Sequence, residues 1–145
     1  MPDEQNLSNH TRFFPPFHFF VLPMLLINLT FHVYRLVKEG LSIGGIGGTL
    51  LALALPVGFL SCRVFSLTVQ DRVIRLEMRL RLRERLPADL CAQAVNLPVK
   101  QLIALRFAGD AELAGLVRDV VSGSLSSQKD IKSKVKDWQP DYLRA

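Results

Sequence analysis

Apolar residues along this chain follow two different patterns, and the change between them falls near Val69. From Phe14 to Tyr34, and again from Leu41 to Ser61, no residue carries a formal charge. Each run supplies about 21 helical residues, which at ~1.5 Å apiece cover roughly 31 Å, the thickness of a bilayer's hydrocarbon core. Two transmembrane helices are therefore predicted, over 13–37 and 43–69, joined by a short external turn at 38–42. The link around Arg35, Lys38, Glu39 and Gly40 is too short for anything but antiparallel neighbours, so the pair is read as a helical hairpin. The first run does not have the form of a cleaved signal peptide, because the opening PDEQN is acidic, the run is too long, and no small-residue cleavage site follows Val37.

Beyond Val69 the pattern tightens. Residues 74–82, IRLEMRLRL, alternate strictly between apolar and polar, which by period alone would suit a half-buried strand. Composition opposes that: Arg, Leu, Glu and Met favour helix, and no β-branched residue follows Ile74 until Val95. Read as a helix, the alternation makes two apolar ridges, one of Val69, Val73, Leu76 and Leu80 and one of Ile74, Met78, Leu82 and Leu86. A helix apolar on two sides suits burial between two neighbours better than a place in the headgroup plane, which calls for one broad apolar face. An arginine-rich connector over 70–86 is predicted to continue the second membrane helix as a stalk.

In the tail, 87–145, Pro87 and Pro98 fit first helical turns, Asn96 and Asp110 can cap the segments after them, and Gly109 and Gly123 can end the segments before them. Short helices are predicted near 88–95, 98–108, 111–122 and 128–138, with a strand at 102–107 as the competing reading of LIALRF. Leu113, Leu116, Val117, Val120 and Val121 form one apolar stripe, and Ile131, Val135 and Trp138 another. A tail this short is near the lower limit for independent folding, so it should pack on the connector or on a partner. The predicted fold class is all-α: a transmembrane hairpin, an arginine-rich cytoplasmic continuation of its second helix, and short cytoplasmic helices.

Charge sets the expected orientation. Residues 70–145 hold 14 of the 18 Lys and Arg, while 13–69 contain only Arg35, Lys38, Glu39 and Arg63 as charges. The inter-helix turn has two basic residues; the outer flanks have eight, namely Arg12, Arg63, Arg72, Arg75, Arg79, Arg81, Arg83 and Arg85. Basic flanks stay on the cytoplasmic side, so both termini, including the tail 1–12, are expected there, in the inner membrane of a bacterium. Arg63, just past the apolar run, is read as an interface anchor. The connector's six arginines against Asp71, Glu77 and Glu84 leave +3, with Glu77 and Arg81 at pairing distance on a helix. Such a run is a solvated orienting surface or a contact for anionic lipid or an acidic protein. Nucleic acid is not expected as a partner, because no aromatic stacking platform accompanies the basic residues.

Gly40, Gly44, Gly48 and Ala52 recur every four residues, and Pro56 continues the spacing. On a helix they form a smooth stripe that another backbone can approach closely, either the first helix or a second copy or partner. His18 and His32 lie fourteen residues apart, about 40° short of four full turns and roughly 21 Å along one helix side. That spacing resembles the helices of cytochrome b-type proteins, in which two histidines serve two haems; the second helix has no histidine to complete such sites. The preferred reading puts both rings at the membrane interfaces among Phe17, Phe19, Phe31 and Tyr34. No cofactor or metal is expected. Cys62 and Cys91 are read as packing residues. No histidine follows His32 to activate Ser122, Ser124 or Cys91, and Asp110 and Glu112 lack a partner constellation, so no enzymatic role is expected.

Four blocks resemble an uncharacterised bacterial family of small two-span membrane proteins. They are Glu4-Gln5-Asn6 with Asn9-His10-Thr11-Arg12 and Pro16-Phe17-His18; Val69-Gln70-Asp71-Arg72 with Arg75-Leu76-Glu77; Gln101 through Ala108 with Asp110, Glu112 and Leu113; and Trp138 with Asp141, Leu143 and Arg144. The resemblance covers nearly the whole chain and implies two spans and a bacterial source, with no catalytic residue to carry over. It leaves as the expected role an accessory subunit or self-associating scaffold, with an ion pair between Asp71 and Arg12 as a further expectation.

Overall fold

A computed structural model describes Asn6, Leu7 and residues 14–142. Every regular element among them is helical: a π-helical turn Pro16–Val21, then α1 Leu22–Glu39, α2 Ile43–Arg85, α3 Ala88–Ala94, α4 Val99–Leu105, α5 Asp110–Val121 and α6 Gln128–Lys134. The chain divides into two compact units, Phe13–Ser66 and a second that includes Leu67–Ala145, and α2 contributes to both.

In the first unit, the wide turn precedes Pro23, which has no N–H to donate and whose ring would clash with the carbonyl four residues back. Leu22 N–H instead reaches Phe17 O, five residues away. α1 runs to Glu39, two residues past the predicted end, because the Arg35 guanidinium holds the Glu39 carboxylate through two bonds of 2.8 and 2.6 Å in the last turn. Gly40, at φ 81°, stops it. Gly40 is therefore the cap of α1, not the first member of a stripe on α2, and the predicted 38–42 turn contracts to Gly40–Ser42. Ser42 Oγ then accepts from Gly45 N–H at 3.0 Å and starts α2.

Two helices, Pro16–Glu39 and Ile43–Arg85, are long and apolar enough to cross a membrane. Of their most apolar stretches, 0% and 11% respectively is buried. Phe19, Ile27, Phe31, Leu50, Leu51 and Phe59 all turn outward.

The second unit has a core of its own. Ile74, Met78 and Leu82 of α2, and Leu86 just past its end, pack with Leu90 and Ala94 of α3, Leu102 and Leu105 of α4, Leu113, Leu116 and Val117 of α5, and Ile131 of α6. The connector is helical, as its composition predicted, and so is 102–105. Only one of its two ridges is buried. Val69, Val73, Leu76 and Leu80 remain 48–61% exposed.

Three expected details differ. α6 ends at Lys134 instead of 138, because Val135 turns extended (ψ 124°) and the following residues pair with the chain at 107–109. Asn96 caps nothing; α4 begins after Pro98 and α6 is capped by Ser127, whose side chain accepts from Asp130 N–H. Gly109 does not terminate a helix: at φ −64° it precedes α5, and its N–H is taken by Asp137 O at 2.8 Å. Gly123, at φ 83°, does end α5 as expected.

Candidate interaction site

The connector is fastened to the tail by arginine. Arg81 Nε and Nη2 donate to Asp110 Oδ1 at 2.9 and 2.7 Å, Nη2 also reaches Ala108 O at 2.6 Å, and Nη1 reaches Arg106 O at 3.2 Å. Arg85 adds a contact to Asp110 Oδ2 at 3.1 Å. One planar donor fork thus satisfies carbonyls at the end of α4 and a carboxylate at the start of α5, which lysine could not do. The Arg81 hydrogen bonds, then the charges of Arg81 and Arg85, hold the Asp110 carboxyl below the usual carboxylate range, against an opposing desolvation. The expected Glu77–Arg81 pair gives way to this clamp, since three acceptors fixed by the fold outcompete one mobile carboxylate on the same helix. Asp110 accordingly serves as the clamp's anchor; no side chain caps α5.

A second cluster ties down the extended end. Phe107, fully buried, stacks on Trp138 with centroids 4.5 Å apart and planes 19° from parallel. The Arg106 guanidinium lies 4.6 Å and the Lys132 ammonium 5.3 Å from the Phe107 ring centre, both within cation–π range. Arg106 also meets Asp141 at 3.1 Å. Gln139 N–H donates to Phe107 O at 2.7 Å, and the Glu112 carboxylate accepts the N–H groups of Lys136 and Asp137 at 3.1 Å. A Cβ on Gly109 would collide with the Asp137 side chain, which would have to move aside, so glycine suits this position for space and not for its backbone angle. Composition could not find this cluster, but an arginine and a phenylalanine adjoining a predicted core stripe, with a lone tryptophan downstream, were its visible traces.

Arg79 Nη2 donates to Val95 O at 3.1 Å. Arg72, Arg75 and Arg83 are exposed, Arg63 and Asp71 half-buried. Arg12, and with it the expected Asp71–Arg12 pair, lies outside the described residues. Along the small-residue stripe, Gly44 faces open space, a Cβ on Gly48 would come within 2.9 Å of the His32 ring, and Ala52 is buried. Thr49 Oγ1 bonds Gly45 O at 2.8 Å and approaches His32 O at 3.4 Å. His18 Nδ1 meets Phe14 O at 2.9 Å. The His18 ring is thus bonded to the backbone four residues before it, while the His32 ring lies beside Gly48. Among the described residues no group of three His, Cys, Asp or Glu could hold a metal ion.

What the described residues offer is surface and fastening. Residues 1–145 match the model of a family of unknown function, DUF6526. The chain belongs to that family. The match takes in every block singled out in the sequence, from the N-terminal tail to Trp138 and Asp141. Neither a curated protein nor a solved structure matches the chain. Family membership accordingly carries no activity with it, and function has to be argued from the two units themselves.

Proposed function

We propose that this DUF6526 member is a small integral membrane protein with a structural or accessory role, not an enzymatic one. In this reading α1 and α2 form an antiparallel hairpin in a bacterial inner membrane, with both termini in the cytoplasm. The observation that carries it is the outward apolar surface: two helices of spanning length bury 0% and 11% of their most apolar stretches. A water-soluble helix hairpin would hide that face, because each exposed large apolar side chain forgoes about 1.5–3 kcal/mol of transfer free energy. The three-residue link and the approach of His32 to Gly48 support the hairpin. Outer flanks with eight basic residues against two in the turn support the orientation. The tail is then a cytoplasmic module held to the end of α2 by Arg81, able to present a surface to a membrane partner.

The test is topology. With Cys62 and Cys91 replaced by serine, single cysteines at Leu41 and Ser126 are labelled in intact cells with a membrane-impermeant maleimide. Labelling at 41 alone is expected, with 126 reacting only after the membrane is opened. Labelling at 126 in intact cells reverses the orientation. Recovery of the protein as a compact monomer without detergent removes the membrane assignment.

A further inference from the structure

Among the described residues of the second unit one apolar surface stands outward: the ridge Val69, Val73, Leu76 and Leu80, between 48% and 61% exposed while the opposite ridge is buried. Its spacing of four, three and four residues is the a/d pattern of a two-stranded coiled coil, with Val73 and Leu80 at a and Val69 and Leu76 at d. In that frame Arg72 and Arg79 fall at g, and Gln70, Glu77 and Glu84 at e. The seam therefore has arginines along one flank and glutamates along the other.

We propose that the occupant of this ridge is a second copy of the chain, running parallel to the first about a two-fold axis along α2. Such an axis sets the g flank of one helix against the e flank of its mate, and the residue at g meets the e residue five positions further on. That offset brings Arg72 to Glu77 of the mate, twice by symmetry; Arg79 stands at the same offset from Glu84, but its Nη2 is already held by Val95 O within the chain, so the first pair carries the flank. An antiparallel pair would set arginine against arginine and glutamate against glutamate. Among the described residues Arg72, Glu77 and Glu84 have no ion-pair partner within the chain, so these charges are available. The parallel sense is also the one forced on two copies inserted alike in one membrane, and in this respect the inference rests on the membrane reading above. The flanking charges select it independently.

The test uses the full chain in native membranes, with Cys62 and Cys91 replaced by serine, after alkaline carbonate washing has shown whether the protein is membrane-embedded. Single cysteines at Val69, Val73, Leu76 and Leu80, and at the outward Arg75 as control, are oxidised with copper phenanthroline. Disulfide-linked dimer is expected at all four seam positions and at most a trace at 75. Self-crosslinking at both 69 and 80 requires a parallel, in-register pair; crosslinking confined to one position means an antiparallel crossing and overturns the proposal, as does equal yield at 75. On the Leu76 cysteine background, E77R is expected to lower dimer yield roughly fivefold by setting Arg72 against a like charge, and R72E combined with E77R to restore it. Absence of rescue refutes the flank pairing. Protein that stays in the membrane yet shows no seam crosslink sinks the dimer and leaves the membrane assignment intact. Protein released by carbonate sinks the membrane assignment, and its seam crosslinks still decide the dimer.

Discussion

Leu80 and Leu82 stand two residues apart on α2 with the same side chain, and the structure gives them opposite fates: Leu82 is 0% exposed in the core, Leu80 51% exposed. Truncating Leu82 to alanine removes about three buried carbon groups at ~0.8 kcal/mol each and leaves a cavity, for a loss of about 3–5 kcal/mol. A unit of about 80 residues has roughly 4–12 kcal/mol in all, so this one change removes about a quarter or more of it. Leu80→Ala forfeits at most half of the transfer term, about 1 kcal/mol, and alanine's better helix propensity returns a few tenths. Trp138, the chain's one tryptophan, is stacked on Phe107 in the same unit and reports its unfolding by fluorescence. Urea titrations in non-ionic detergent, at high and low protein concentration, should show a large, concentration-independent loss for Leu82→Ala. For Leu80→Ala they should show a small loss when dilute, growing only where copies associate. Equal losses for the two variants at every concentration would mean that both ridges are buried within one chain, and the assignment of the exposed ridge would be refuted.

Other outcomes concern the clamp and the strapped end. Arg81→Met leaves carbonyls of Arg106 and Ala108 without this donor and should cost about 2–3 kcal/mol, read by the same titration, with faster amide exchange at the start of α5. Because Asp110 has a lowered folded-state value, its contribution to stability is complete above the ordinary carboxylate range near ~3.9 and lost as pH falls through the folded value; acid titration of Trp138 emission should show this loss, and R81M should flatten it. A wild-type and an R81M curve of the same shape would contradict the clamp. Gly109→Ala should cost about 1–3 kcal/mol by displacing Asp137, and a neutral result would show that the extended end does not press on α5.

Uncharged runs of spanning length, helix-forming composition in the connector, and glycine and proline as punctuation were legible in the sequence, since each depends on neighbours along the chain. Those local features determined two long apolar helices and a tail of short ones, correct to within a few residues at most ends. Which ridge of the connector is buried could not be read that way: strict alternation of Arg and Leu makes both ridges equally apolar, and only the packing of α3 to α6 against Ile74, Met78, Leu82 and Leu86 breaks the tie. The same holds for Arg81. Along the helix its neighbouring acids are Glu77 and Glu84, and its actual partner, Asp110, is distant in sequence and brought close by the turn after α4. The short α6 and the Phe107–Trp138 stack likewise rest on pairing between 107–109 and 137–139, a contact with no local period to announce it. Local chemistry decided what kinds of element this protein has; tertiary packing decided which of their faces is left for something else to cover.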